Sequence, residues 1–212
     1  MHNKNDSILV ELRQHAPFTM FGAFTGIICM LIFKNVSHEV NHTLFYIFHP
    51  GHVVLSAMVT AAVFRAHTTG TKNFIKILII GYVGSIGVAT LSDSIIPYLG
   101  EYILGMQAHV HVGFIESWYI VNPAALIGVL LAYCYPKTHF PHAGHVLLST
   151  WASSFHMIMA INPDQGLTLF LLAGCLVFLF LAVWLPCCVS DIVFPLLIVK
   201  TEKNKKVENA GK

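Results

Sequence analysis

Six apolar runs, broken by short polar stretches, make up most of the chain: about 16–33, 43–64, 74–97, 107–134, 144–162 and 166–199. An α-helix needs about 20 apolar residues to cross the hydrocarbon core of a bilayer, and every run is close to or beyond that length. Lipid offers no partners for backbone N–H and C=O groups, so a spanning run satisfies them within a helix. The pattern predicts an all-α polytopic membrane protein with six transmembrane helices. Residues 1–15 are polar and mixed in charge, without the basic start and short apolar core of a signal peptide, and are read as an N-terminal tail. Residues 200–212 read as a basic, solvated C-terminal tail.

Composition sharpens this picture. Of 212 residues, 56% are hydrophobic and 10% charged, whereas soluble domains carry about 25% charge. Mean hydropathy is +0.70. The expected partner is therefore the lipid bilayer; nothing points to nucleic acid, and homo-oligomerisation is left open. Cys29, Cys134, Cys175, Cys187 and Cys188 lie in apolar runs without CxxC spacing, as reduced packing residues do. A soft-ligand role for the Cys187–Cys188 pair is the lesser reading. With the N-terminus in the cytoplasm, eleven of the twelve Lys and Arg fall inside and only Lys34 falls outside. The positive-inside rule thus places both termini in the cytoplasm, with the chain in a plasma or inner membrane.

The chain also repeats itself. His49–Ser56 (HPGHVVLS) recurs as His142–Ser149 (HAGHVLLS), with six of eight positions identical, both histidines, the glycine and the serine among them. Downstream, Ser92, Asp93 and Pro97 are matched in register by Ser190, Asp191 and Pro195; upstream, Pro17 and Gly22 are matched by Pro123 and Gly128. The shared order implies a duplication, with repeat 1 over residues 16–106 and repeat 2 over 107–199. Three helices per repeat is an odd number, so the second half enters the membrane from the opposite side. In this architecture the chain resembles the general class of three-plus-three inverted-repeat transporters, which implies a pseudo-two-fold axis in the membrane plane and a substrate path at the repeat interface.

Candidate chemistry resides in the repeated residues. Each motif glycine, with Pro50 in the first copy, is expected to mark a helix start, after which His and Ser fall four apart on one face. Neutral imidazoles joined by a carboxylate suit zinc, manganese, iron or nickel. A carboxylate within a spanning segment costs about 2.5–3.5 kcal/mol on insertion scales, so Asp93, Asp191 and Glu116 are functional expectations by default. Pro97 and Pro195, four residues beyond each Asp, should loosen the helix beside it.

Counting depth from the helix ends groups His49, His52, Asp93, His109, His111, Glu116 and His156 as an outer metal set. His142, His145 and Asp191 form a mirror set near the cytoplasm, with Glu11, His15 and His67 as further members, and Ser56 and Ser149 support the two sets. Two stations on one path is the expectation. His2, His38, His42 and His139 fall in loops or the tail and are read as solvated. For any single intramembrane His or Ser the plainer role is a helix-to-helix hydrogen bond.

Three functions follow, in this order. The first is a transporter of a divalent transition-metal cation, with or without proton coupling. Second is an intramembrane metal-dependent hydrolase in which one His/Asp cluster activates water and Ser56 or Ser149 assists. Third is a haem-binding protein with facing histidines as axial ligands. A proton-coupled carrier of an organic substrate stands close to the first reading. Only the second makes the chain an enzyme.

Overall fold

The computed structural model describes residues 4–68, 74–135, 139–162 and 166–188. All regular structure among them is helical: α1 (Lys4–Phe33), α2 (His38–His67), α3 (Phe74–Thr90), a π-helical turn (Leu91–Ile95), α4 (Ile96–Ile103), α5 (Gly113–Glu116), α6 (Trp118–Cys134), α7 (His139–Met159) and α8 (Leu169–Cys188). Four stretches are long and apolar enough to cross a membrane, namely His15–Phe33, His38–Ala66, Phe74–Ile103 and Leu169–Cys187. Large apolar side chains such as Phe24, Ile32, Ile75, Ile127 and Phe170 are exposed along these helices and α6. Such a surface is tolerated in lipid and not in water, so the long helices point to membrane integration.

Helix α1 begins at Lys4, within the stretch read as a tail, and α2 begins at His38 rather than near 43; two further boundaries shift, each for a local reason. The fourth run starts as a helix at Trp118 rather than near 107. Residues 107–112 alternate polar and apolar (Gln-Ala-His-Val-His-Val), a period that builds no helix face. Gly105, at φ +69°, turns the chain out of α4. The third run, conversely, does not end at Pro97. Proline sits in the first turn of α4, where its fixed φ suits the helix that follows. Its missing N–H denies the Asp93 carbonyl its usual partner four residues on, and the turn widens until Ile96 donates to the Leu91 carbonyl five residues back.

At the centre α2 and α7 lie antiparallel. Phe45 meets His156, Phe48 meets Trp151 and Phe155, and His52 meets His145. α1 runs parallel to α7, with His15 on His142 and Phe33 on Phe155. α6 approaches α2 so closely that a Cβ on Gly128 would run into the Val54 carbonyl oxygen. α8 closes the bundle against α1 and α4, with Gly26 on Leu179 and Gly100 on Phe178. Small residues at such crossings allow close backbone approach where lipid supplies no hydrophobic force between helices.

Several of these contacts come in pairs. Gly51 faces Leu148 while Gly144 faces Leu55; Gly22 faces Thr150 while Gly128 faces Ala57. α6 has 17 residues, carries exposed Trp118 and Tyr119 at its start and exposed Tyr133 in its last turn, with exposed Tyr135 just beyond it. α7 is 21 residues long and carries many polar residues, but its polar side chains from His145 to His156 are buried.

Candidate functional site

Asp93 occupies the middle of the π turn and is fully buried. His49 and His52, three apart on α2, both place Nδ1 against its Oδ2, at 2.9 and 2.8 Å. Ser92 and Ser149 donate their hydroxyls to Oδ1, at 2.6 and 2.8 Å. Ser153, one turn after Ser149, donates to the Ser92 carbonyl at 2.9 Å and ties α7 to the widened turn. A carboxylate that receives four donors acts only as acceptor. The network therefore places a proton on Nδ1 of each imidazole, so that each ring, when neutral, carries its lone pair on Nε2. Both Nε2 atoms are buried without a hydrogen-bond partner. Phe45 stacks on the His49 ring at 5.3 Å, and Gly113 lies against its Nε2 edge.

Imidazoles continue from this centre in both directions. Towards the start of α7, His52 stacks on His145 (5.8 Å, 11°), His145 meets His142 at 4.9 Å and His142 meets His15 at 4.4 Å. Towards the start of α2, Phe45 intervenes, 5.7 Å from the ring of His156. Nδ1 of His156 lies 2.6 Å from Oε1 of buried Glu101. The backbone N–H of His111 donates to His156 Nε2 at 3.4 Å.

A second cluster stands at that end. His111 Nδ1 lies 3.4 Å from Glu116 Oε2, Tyr46 donates its hydroxyl to the same oxygen, and the Val112 N–H donates to Oε1 at 3.2 Å. Ligand atoms of His42, His111 and Glu116 all lie within 4.8 Å of one another. Burial pushes the His111 imidazole below its ordinary range. For Glu116 burial acts upward, but the hydrogen bonds from Tyr46 and His111 prevail and hold the carboxyl below its usual range.

The expected site residues are thus distributed as follows. His49, His52 and Asp93 converge, joined by Ser149. Glu116 and His111 meet each other and His42 rather than Asp93. His156 pairs with Glu101. His109 is exposed on the segment before α5. Ser56 is buried one turn beyond His52, its hydroxyl unpaired. Asp191 and the side chains of Glu11 and His67 lie outside the described residues.

One reading needs correction. His42 is not a solvated loop histidine; it lies within α2 and faces His111 at 5.8 Å. Of the mirror set, His145 stacks on His52, because α2 and α7 cross at their motifs, and His142 lies against His145. Glu101 escaped notice because Pro97 reads as the end of the third run. Asp93, Pro97 and Glu101 recur every four residues, and all three are buried, so their spacing was the available signal. Comparison with protein-family models, curated proteins and solved structures finds no match to this chain.

Proposed function

We propose that the chain is a small integral membrane transporter that moves a divalent transition-metal cation, with protons passing through the same imidazole and carboxylate groups. Its six spans form two inverted three-helix repeats, the fourth and fifth being α6 and α7. The paired contacts of Gly51–Leu148 with Gly144–Leu55, and of Gly22–Thr150 with Gly128–Ala57, support the repeat, since equivalent residues exchange partners across a two-fold axis. α7 is read as a span because its polar residues turn inward, where they meet protein rather than lipid.

The observation that carries the reading is a file of titratable groups, buried from His145 to Glu101 and half-buried at its two ends. His15, His142, His145, His52, Asp93 and His49 follow one another, and beyond Phe45 come His156, Glu101 and His111. From His142 to His156 alone the file follows about 21 Å of helix at about 1.5 Å per residue, most of a bilayer's depth. A hydrolase needs one cluster open to water, not a column of this length. Phe45 divides the file, as a carrier that must never be open at both ends requires. Haem is disfavoured because the Nε2 edge of buried His49 abuts Gly113 and its face is covered by Phe45.

Purified full-length protein in proteoliposomes, offered zinc, manganese, ferrous iron, cobalt and nickel in turn with a pH dye in the lumen, tests the reading. Saturable uptake of at least one ion, with a lumenal pH change that follows it, is expected. Uptake of every ion no faster than into protein-free vesicles, under either direction of pH gradient, would overturn it.

A further inference from the structure

His42, His111 and Glu116 come from two separate pieces of chain: His42 from the second turn of α2, the other two from the segment between α4 and α6. Nothing in helix packing requires them to meet. The carboxylate is also held before any ion arrives. Tyr46, one turn after His42 on the same face of α2, donates to Oε2, and the Val112 N–H donates to Oε1. Outer partners of this kind fix the orientation of metal ligands. The cluster is open to solvent, with the side chains of His111 and Glu116 21% and 37% exposed, so water has access to a further coordination position.

We infer that His42, His111 and Glu116 form a cation site at the end of the bundle where α2 begins, taking a borderline divalent ion such as Zn²⁺ with water as its fourth ligand. Two imidazoles and one carboxylate are the donor set of open tetrahedral zinc sites, and too poor in oxygen for calcium or magnesium. In such a site, bonds of about 2.0–2.1 Å leave ligand atoms about 3.3 Å apart. The present spread within 4.8 Å closes to that by side-chain rotation, without moving a helix. A bound ion would pin the α5 segment to α2 and so hold Gly113 over the edge of His49. The site goes beyond the transport reading, because binding here does not require that the ion be moved.

The test uses the full chain in lipid nanodiscs and Co²⁺ alone as the probe, read by visible absorption and by equilibrium dialysis. One equivalent with the intense bands of a four-coordinate N/O site is expected. His42→Ala and Glu116→Gln should each weaken it roughly a hundredfold, and Tyr46→Phe, which removes only the outer partner, about tenfold. Cys134→Ser, at the other end of α6 and outside both clusters, should bind as the parent does. Absence of the bands, unchanged affinity in His42→Ala and Glu116→Gln, or loss of the bands in Cys134→Ser would each overturn the assignment. Failed ion uptake in vesicles alongside intact Co²⁺ binding refutes the transport reading and leaves this site standing.

Discussion

Asp93→Asn separates the charge of the central carboxylate from its shape. With the amide oxygen turned to Ser92 and Ser149, both hydroxyls keep an acceptor, and the NH₂ then faces the two Nδ1 atoms that stand 2.9 and 2.8 Å from Oδ2 in the parent. N–H cannot donate to N–H, so both imidazoles must move their protons to Nε2, where neither has a buried partner. Orphaning two buried donors costs about 2–6 kcal/mol, at about 1–3 kcal/mol each. Removing a carboxylate from a spanning segment returns about 2.5–3.5 kcal/mol. The balance lies between a gain of about 1.5 and a loss of about 3.5 kcal/mol, so the variant stays folded. Asp93→Ala is the contrast: it orphans four donors, about 4–12 kcal/mol, and should unfold the centre. Function responds differently from stability. With Nε2 protonated, His49 and His52 offer no lone pair to a proton or an ion, and flux should fall roughly tenfold or more. Thermal unfolding in detergent and vesicle uptake on the same preparations measure the two effects. A folded Asp93→Asn protein that moves ions at the parent rate would refute the role given to the central cluster.

Gly128→Ala should destabilise by about 1–3 kcal/mol through overpacking against Val54, whereas Gly87→Ala, where an added Cβ meets nothing within 4 Å, should gain about 0.5–1 kcal/mol from helix propensity; unfolding by graded SDS separates them. Ser149→Ala removes one donor to Asp93 and should cost about 1.5–3 kcal/mol, an effect that should largely vanish in an Asp93→Ala background where that acceptor is gone; a double-mutant cycle showing full additivity counts against the bond. Cys134 is exposed at the end of α6. With Cys29 and Cys188 changed to serine, an impermeant maleimide should reach it only from the side that carries the Lys-rich tail; labelling of intact cells would reverse the orientation expected from charge.

The association of His49, His52 and Asp93 was legible because the chain repeats the motif and because a carboxylate in an apolar run is costly enough to demand a reason. The meeting of the two motif copies was not. Depth counted along each helix treats the helices singly, whereas the crossing of α2 and α7 is set by glycines 51 and 144 pressing on leucines 148 and 55. Glu101 was hidden for a different reason: proline signals both the end of one helix and the first turn of the next, and only the resumption of the helix puts Glu101 two turns from Asp93 on one face. His42 was missed because the apolar run of α2 begins after the helix itself does, so its first turns read as loop.

In the proposed six-span arrangement, the short length of α6 sets a condition on the membrane around it. Seventeen residues give about 25 Å at about 1.5 Å per residue, less than the roughly 30 Å of an average hydrocarbon core. Trp118 and Tyr119 at one end, and Tyr133 and Tyr135 at the other, are side chains that settle at the headgroup level, so they mark two interfaces closer together than usual. The helix cannot compensate by shifting, because Gly128 locks it to α2. As the fourth span of the arrangement proposed above, α6 would require the bilayer beside it to thin, a mismatch that lipids with shorter acyl chains relieve and those with longer chains aggravate. The protein should favour thin regions of membrane, and its unfolding temperature should fall as the surrounding acyl chains lengthen.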